Sequence, residues 1–282
     1  MSFTRLKAVA GMIRPVNCAM MVAAVYVASV VALRSLVEPS PRLVSAFITA
    51  FTLTGFAMVV NDIYDVEVDR INEPKRALPS GALKTNQAWV YAIILAIVGF
   101  SLSVYDGWFE AFLAAFSVCL SILYSAKLKL GGLSGNLAVS YNVALPFLYG
   151  GIVVHALNDV LAIFFLLAFL SNTGREVIKG ISEIRGDAVR EAKTVARKYG
   201  SAKAAKVGAA FSVCAAALSP IPLFLGGLSP VGYGVPLILT DALFIFLAYK
   251  LVKQPSQAGY VKKMYKLPML IAMLSFVTGA LI

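Results

Sequence analysis

The sequence predicts an all-α membrane protein, with about nine transmembrane helices in one bundle around a central cavity. Of the 282 residues, 60% are hydrophobic and 14% are charged, and the mean hydropathy is +0.82. Soluble domains average about 45–50% apolar and about 25% charged residues. The apolar residues also fall into stretches close to the roughly 20 residues that a helix needs to cross a bilayer. This composition excludes a disordered chain and argues against a soluble enzyme.

Nine apolar stretches are candidate membrane spans, and together they predict a single domain over residues 1–282. They cover residues 15–33, 43–62, 88–105, 109–125, 134–154, 159–177, 205–225, 233–251 and 265–281. No clear small-x-small cleavage site follows the first stretch, so we expect it to be retained rather than removed as a signal peptide. The three cysteines show neither metal-ligand spacing nor a disulfide framework. The single histidine, His155, has no second histidine with which to form a metal site.

Basic residues are distributed unevenly between the two sides of the predicted bundle. If the N-terminus is cytoplasmic, 23 of the 25 lysines and arginines lie in cytoplasmic segments, and only Arg34 and Arg42 lie outside. The positive-inside rule therefore explains the net charge of +11 better than nucleic-acid binding does. We predict a multi-pass protein of the cell membrane, with its active site on the cytoplasmic side. Five lysines between residues 250 and 266 are also able to contact anionic lipid headgroups.

Two predicted cytoplasmic segments, residues 61–87 and 175–204, hold nine of the 14 acidic residues. The first begins with four polar residues within about 100° of one helix face: Asn61, Asp62, Asp65 and Asp69. Three carboxylates on one face repel each other, so the arrangement costs stability unless a cation compensates. Hard oxygen ligands favour Mg²⁺ or Ca²⁺ over zinc or copper. The alternative is a solvated acidic helix end, and this cluster alone does not separate the two.

The second segment repeats the spacing of the first. Lys179, Gly180, Glu183 and Asp187 stand 118 residues after Asn61, Asp62, Asp65 and Asp69, respectively. Two matching clusters, each at the cytoplasmic end of a span, indicate an internal duplication that faces one cavity. The second copy makes chance placement less plausible and favours a site for a metal ion and a phosphate group.

Basic side chains near the two clusters are candidates for binding a diphosphate, which needs charge neutralisation and several N–H donors. We select four of them: Arg14, Arg76, Lys127 and Lys179. Membrane topology is the preferred explanation for Lys75, Lys84, Lys129 and the basic run between residues 190 and 206. Asp241 falls inside the eighth span, where it is either a functional carboxylate or a helix–helix hydrogen bond.

The long acidic pattern resembles a known family. It reads Asn61-Asp62-x-x-Asp65-x-x-x-Asp69-Arg70, followed by Asn72, Pro74, Arg76, Pro79, Ser80 and Gly81. This resembles the first aspartate-rich motif of the UbiA superfamily of intramembrane prenyltransferases. Two shorter patterns are also similar, Arg14-Pro15-Val16-Asn17 in the first span and Tyr124-Ser125 after the fourth. The resemblance covers essentially the whole chain, including the nine spans.

The resemblance implies a set of site residues for Mg²⁺-dependent transfer of a prenyl group. The catalytic, metal-binding residues would be Asp62, Asp65, Asp69, Glu183 and Asp187. The substrate-binding residues would be Arg14, Asn17, Asn61, Arg76, Tyr124, Lys127 and Lys179. The second motif departs from the family, in which aspartates commonly replace Gly180 and Glu183. Water or substrate oxygens would then fill the place at Gly180, and Glu176, one turn earlier, is able to contribute.

The resemblance also indicates a reaction. Residues 71–81 and 175–179 are most similar to archaeal members that add a second geranylgeranyl chain to geranylgeranylglyceryl phosphate, a step of ether-lipid synthesis. Alternatives are an aromatic acceptor of quinone synthesis, a cyclase that needs no acceptor and, less favoured, a secondary transporter. Transporter sites usually lie near the bilayer midplane, whereas these carboxylates gather at one end of the bundle. The implied partners are a prenyl diphosphate, its acceptor and the bilayer, with no nucleic acid and no evident protein partner.

Overall fold

The computed structural model describes residues 3–189 and 191–282, without the side chains of residues 3–7 and 72. The side chain of Asn72 in the first motif and the whole of Arg190 in the basic run therefore lie outside what the structure describes. The described chain forms α-helices and two short 3₁₀ helices, Leu128–Gly131 and Pro255–Gln257. The α-helices are α1 Phe3–Met12, α2 Pro15–Leu33, α3 Pro41–Tyr64, α4 Val66–Asn72, α5 Thr85–Asp106, α6 Trp108–Ala126, α7 Leu133–Val153, α8 Asp159–Ser182, α9 Ile184–Val189, α10 Val195–Tyr199, α11 Ser201–Leu218, α12 Ile221–Leu225, α13 Pro230–Lys253, α14 Ala258–Met264 and α15 Lys266–Leu281.

Nine helical segments in the described residues are long and apolar enough to cross a membrane, which confirms the nine predicted spans. They are Pro15–Leu33, Pro41–Tyr64, Thr85–Asp106, Trp108–Ala126, Leu133–Val153, Asp159–Ser182, Ser201–Leu225, Pro230–Lys253 and Pro255–Leu281. Most extend beyond their predicted ends, since hydropathy falls at the first charged residue whereas the helical hydrogen bonds continue past it. The sixth span, predicted to end at residue 177, therefore carries its charged side chains on a continuing helix.

The spanning helices pack around a common interior. Helix α2 packs against α3 and α7, and contacts run from α7 through α8, α11, α13 and α15 back to α2. Helices α5 and α6 pack against α3, and α6 also packs against α7. Polar side chains at one end of α2, α3 and α8 face the interior that these helices share.

Small residues allow neighbouring helices to approach closely, as is common where lipid surrounds a bundle. A Cβ on Gly150 of α7 would collide with the carbonyl oxygen of Val25 in α2. At the same contact, Ser29 Oγ donates to the carbonyl oxygen of Gly150 at 3.1 Å. A Cβ on Gly174 of α8 would lie 2.9 Å from the carbonyl oxygen of Gly208 in α11. These contacts fix the positions of α2 and α8, which carry predicted site residues.

Two spanning helices are interrupted at equivalent positions of the acidic motifs. Helix α3 ends before Asp65 (φ −97°, ψ 4°) and α4 follows it, whereas α8 ends before Glu183 (φ −112°, ψ 14°) and α9 follows it. The continuous helix face that the spacing predicts is therefore broken within each cluster. The two breaks are 118 residues apart, and α4 contacts α9. This matched geometry supports the predicted duplication and brings the ends of the two motifs together.

Candidate active site

A cavity of about 340 Å³ lies between α2, α3, α6, α7, α8, α14 and α15, and its lining is polar at one end and apolar at the other. Its polar lining includes Arg14, Asn17, Asn61, Tyr124, Asn172, Arg175, Glu176, Lys179, Lys262 and Lys266. Its apolar lining includes Met20, Met21, Val25, Leu53, Ala57, Leu113, Val143 and Leu145. A ligand with a charged head and a long apolar tail matches this division, since pockets bury apolar surface and orient it with a few polar groups.

Beside the polar end, three buried carboxylates are held by arginines and a lysine. Asp62, Asp65 and Asp69 are each only 5% exposed. Arg14 donates to Asp62 Oδ1 at 2.6 Å, and Arg76 donates to Asp69 Oδ2 at 2.7 Å and to Asp62 Oδ1 at 3.3 Å. Buried carboxylates without partners are costly, so each needs a compensating charge. A single guanidinium, that of Arg76, thus holds the two helices of the first motif together.

Burial and neighbouring charges act in opposite directions on the pKa values of Asp69 and Arg76, which lie outside the membrane spans. Burial raises the pKa of Asp69, and the guanidinium of Arg76 opposes that shift. Burial by itself would lower the pKa of Arg76, but the carboxylates of Asp62 and Asp69 more than reverse this, so its pKa is raised. Arg76 therefore remains a permanent cation, and the carboxylates beside it depend on positive charge for their ionisation.

The backbone at the start of α2 directs Arg14 toward the site. Arg14 has a left-handed conformation (φ 50°, ψ 71°) between α1 and α2, and Pro15 follows as the first residue of α2. Proline disfavours the right-handed helical conformation in the residue before it, which ends α1 at this point. A left-handed non-glycine residue costs on the order of 1–3 kcal/mol and is typical of functional sites. The strain is offset here by the ion pair of Arg14 with Asp62.

A lysine that the sequence analysis assigned to topology belongs to this site. Lys129 Nζ donates to Asn61 Oδ1 at 2.7 Å and forms an ion pair with Asp65. Asn61 Nδ2 also donates to Asp65 Oδ2 at 2.9 Å. Lys129 Nζ lies 5.8 Å from the centre of the Tyr124 ring, which lines the cavity. Lys127 was selected instead, but it is exposed and does not line the cavity.

The turn after α6 explains why Lys129 rather than Lys127 reaches the carboxylates. The 3₁₀ helix Leu128–Gly131 turns the chain, and Gly132 follows with a positive φ of 72°. A Cβ on Gly132 would collide with the carbonyl oxygen of Lys193, whose own amide donates to the Leu130 oxygen at 2.7 Å. This backbone contact fixes the turn against the second acidic segment, a long-range effect that has no signal in the local sequence.

The second motif is also paired with cations. Glu176 accepts from Arg175 at 2.8 Å and from Lys179 at 3.1 Å. Glu183 Oε1 accepts a hydrogen bond at 3.1 Å from Nζ of Lys262, which lies on α14. Asp187 is buried on α9, and its backbone oxygen accepts from Arg197 at 3.1 Å. Glu176 and Lys179 thus lie in the lining of the cavity. Glu183 pairs with the lining residue Lys262, and Asp187 is not a lining residue.

The donor atoms fit a hard divalent cation. Among residues 3–189 and 191–282, no three acidic, histidine or cysteine side chains form a ligand cluster, and arginines and lysines pair with several of the carboxylates. Buried carboxylate and amide oxygens are nevertheless the ligand type that Mg²⁺ prefers, and Mg²⁺ usually takes its remaining ligands from water and substrate phosphates. The carboxylates are therefore chemically suited to a metal ion and the cationic side chains to a phosphate group.

Asp241 forms a hydrogen bond between two helices, which is one of the two roles predicted for it from the sequence. Ser219 Oγ, at the end of α11, donates to Asp241 Oδ2 of α13 at 2.7 Å. Tyr233 OH donates to the carbonyl oxygen of Ser219 at 2.7 Å, so the three residues tie α13 to α11. At the opposite end of the bundle, Arg42 donates to the buried Glu110 at 2.5 Å. No sequence motif indicates this ion pair.

Comparisons with known proteins identify the relatives of this chain. The UbiA prenyltransferase family matches residues 20–274. A digeranylgeranylglyceryl phosphate synthase from Thermococcus sibiricus is 35% identical over 280 residues and covers 98% of both chains. A protein of the same name from Archaeoglobus fulgidus is 36% identical over 245 residues, covering 85% of this chain and 84% of its own length.

Solved structures show the same fold. A digeranylgeranylglyceryl phosphate synthase structure aligns with a TM-score of 0.81 and 30% identity, over 98% of each chain. A UbiA homologue from Archaeoglobus fulgidus, bound to DMAPP and Mg²⁺, aligns with a TM-score of 0.66 over 93% of this chain and 97% of that one. Its identity is 14%, so this second likeness shows the fold alone.

Proposed function

Because this chain belongs to the UbiA prenyltransferase family, we propose that it transfers a geranylgeranyl group from geranylgeranyl diphosphate to the hydroxyl of geranylgeranylglyceryl phosphate. One observation carries the proposal, namely a charged network at the polar end of a cavity whose other end is apolar. Relatives that match nearly all of the chain are named digeranylgeranylglyceryl phosphate synthase. Digeranylgeranylglyceryl phosphate is the product of the transfer that we propose. The chain is a multi-pass membrane protein of this family, and we place its active site on the cytoplasmic side of the cell membrane.

The cations of the site would bind the diphosphate of the donor. Arg14, Arg76 and Lys129 converge on the first motif, and Arg175 and Lys179 converge on the second. Negative charge grows on the leaving diphosphate as the allylic C–O bond breaks and the electron pair departs with oxygen. Preorganised donors aimed at such charge are usually the largest single catalytic contribution.

The carboxylates would hold Mg²⁺, which supplies Lewis-acid neutralisation of the diphosphate when bound. The residues assigned to it are Asp62, Asp65, Asp69, Glu183 and Asp187. Neighbouring arginines and lysines form ion pairs with Asp62, Asp65, Asp69 and Glu183 and hold them in place. Asn61, which bonds both Asp65 and Lys129, would orient that pair.

The apolar part of the cavity would receive the prenyl tail and exclude water. Met21, Val25 and Leu113 lie among its lining residues. Excluding water protects the allylic cation from hydrolysis while the acceptor approaches. The acceptor hydroxyl then donates an oxygen electron pair to the allylic carbon, an ether bond forms, and the hydroxyl proton is released.

A competition between acceptors tests the proposal. Purified protein in detergent with Mg²⁺ and labelled geranylgeranyl diphosphate would receive geranylgeranylglyceryl phosphate or 4-hydroxybenzoate in parallel, with products identified by mass. We expect label on the glycerol phosphate and stoichiometric release of diphosphate. Label on the aromatic ring alone would assign the protein to quinone synthesis instead. Absence of both transfer and diphosphate release would overturn the proposal and favour a transporter.

Replacing Gly180 by aspartate is expected to preserve folding and to lower the Mg²⁺ concentration that gives half-maximal activity. A Cβ on Gly180 would meet Thr194 side-chain atoms no closer than 3.7 Å, which is ordinary van der Waals contact. The residue stands one turn before Glu183 and completes the aspartate pattern of the family. Activity as a function of Mg²⁺ concentration measures the change.

The matched control is Gly180→Ala, which fills the same space without a carboxylate. Alanine is favoured over glycine in a helix by about 1 kcal/mol, so this variant should gain stability at an unchanged Mg²⁺ requirement. Loss of activity in both variants, with intact folding, would show that the glycine itself is required and that position 180 is not a vacated ligand position.

A further inference from the structure

A second, smaller cavity of about 100 Å³ lies beside the first. Five residues line both cavities: Met20, Met21, Val143, Asn172 and Met269. The rest of the second lining is mainly apolar and includes Ala24, Phe147, Leu167, Ala272, Met273 and Phe276. Its polar members are Ser171, Ser219, Thr240 and Asp241, and Ser219 donates to the Asp241 carboxylate. Methionines are unbranched and adapt to irregular spaces, so the methionine wall between the cavities is able to rearrange around a ligand. The interior thus offers two apolar spaces that meet near one polar end.

One face of α15 connects a cation at the polar end to the second cavity. Lys266, the first residue of α15, lines the first cavity. Met269, Met273 and Phe276 follow it at i+3, i+7 and i+10, the spacing of residues on one helix face, and all three line the second cavity. This face therefore presents a positive charge followed by an apolar surface.

A second lysine, Lys262, lines the same side of the first cavity one turn earlier. Val261 and Tyr265 are fully buried, and Tyr265 OH and Ser212 Oγ lie 2.8 Å apart in a hydrogen bond that anchors this stretch. Lys262 and Lys266 each directly follow one of these buried residues along the chain. Their side chains therefore lie on the same side of this stretch, next to the first cavity. Lys263 is exposed, as Lys266 is, but it does not line either cavity.

The charges around Lys266 favour an anion. Within the described part of the chain, no carboxylate forms an ion pair with Lys266, whereas Arg14, Arg76 and Lys129 are paired with the first acidic motif. Lys262 bonds Glu183. The polar end next to α15 therefore holds positive charge beyond what the donor's diphosphate site uses.

We propose that Lys266, assisted by Lys262, binds the phosphate monoester of the lipid acceptor, whose apolar chain lies in the second cavity while the donor occupies the first. The inference rests on the proposed function and adds to it the residues that select a phosphorylated lipid acceptor. It explains why two apolar spaces share one polar end, since donor and acceptor each bring a charged head and a long tail.

Acceptor kinetics of Lys266→Gln test the inference. Purified protein in detergent would receive labelled geranylgeranyl diphosphate with either geranylgeranylglyceryl phosphate or its dephosphorylated form, geranylgeranylglycerol. We expect the variant to raise KM for the phosphorylated acceptor about tenfold or more, the effect of losing a charge-assisted hydrogen bond. KM for the donor and for geranylgeranylglycerol should stay within about twofold of the wild-type values. Lys263→Gln, the matched control, should leave all three values unchanged.

A second variant, Ala272→Phe, probes the tail rather than the head. Ala272 lines only the second cavity, so a phenylalanine there would occupy space intended for the acceptor chain. We expect a higher KM for both acceptors and an unchanged KM for the donor, with thermal unfolding as the check on folding. An increase in donor KM without an increase in acceptor KM would assign this cavity to the donor tail and overturn the inference.

Other outcomes separate this inference from its alternatives. Equal effects of Lys263→Gln and Lys266→Gln would indicate general surface charge and contradict a specific phosphate site. An effect of Lys266→Gln seen in vesicles of anionic lipid, but absent in detergent, would indicate a membrane headgroup and contradict it too. Wild-type protein that never transfers label to either glycerol acceptor would overturn the proposed function, whereas transfer with an unchanged acceptor KM in Lys266→Gln would overturn this inference alone.

Discussion

Replacing Asp65 by asparagine is expected to lower prenyl transfer by more than about 100-fold at saturating Mg²⁺, with folding and membrane insertion intact. Loss of an outer partner of a metal site already costs about 10–100-fold, and loss of a ligand should exceed that. Asp65 occupies the break between α3 and α4, is buried, and contacts Lys129 and Asn61. Asparagine keeps the size of the side chain and one accepting oxygen but removes the negative charge.

The matched control lies two residues away. Glu67 is 73% exposed and pairs with the exposed Arg70 on the same short helix, away from the cavity. Glu67→Gln removes an equal charge from the same segment and should leave turnover unchanged, because exposed pairs of this kind contribute little. Initial rates of both variants at several Mg²⁺ concentrations make the comparison, with thermal unfolding to confirm the fold. Normal turnover of Asp65→Asn would eliminate the proposed metal role of this residue.

Hydropathy and charge could predict the fold because a bilayer restricts the choices. An apolar stretch such as residues 15–33 must be helical to satisfy its backbone, so the number and order of the spans follow from composition. The break at Asp65 could not be predicted in this way. The backbone conformation of Asp65 is one that any residue can adopt. The spacing of the carboxylates is also compatible with an unbroken helix, so it does not indicate where α3 ends.

The candidate site was predictable where a motif is local and not where distant segments meet. Asp62, Asp65 and Asp69 stand in one pattern, and the structure buries all three next to the cavity. The choice between Lys127 and Lys129 depends instead on a turn fixed by a contact with Lys193, more than sixty residues away. Periodicity and spacing carry no information about such a contact.

Replacing Arg76 by glutamine is expected to change Mg²⁺ binding and turnover in opposite directions. One guanidinium nitrogen of Arg76 donates to both Asp62 and Asp69, so the arginine neutralises the same carboxylates that a metal ion would use. Without the guanidinium, Mg²⁺ no longer competes with Arg76 for the carboxylates of Asp62 and Asp69. It should therefore bind more tightly in the absence of substrate. Turnover should nevertheless fall by about 10²–10³, since a cation proposed to bind the leaving diphosphate is lost. Calorimetric titration with Mg²⁺ and initial rates measure the two quantities separately.

Two companion variants separate charge from geometry in that result. Arg70→Gln removes an exposed arginine from the adjacent helix and should alter neither quantity. Arg76→Lys keeps the charge, and because a single nitrogen of Arg76 serves both carboxylates, an ammonium group is able to occupy a similar place. We therefore expect Arg76→Lys to bind Mg²⁺ like the wild type and to retain more turnover than Arg76→Gln, although it loses the planar fork that suits a phosphate. Weaker Mg²⁺ binding in Arg76→Gln would contradict competition and show that Arg76 mainly holds the carboxylates in place for the metal.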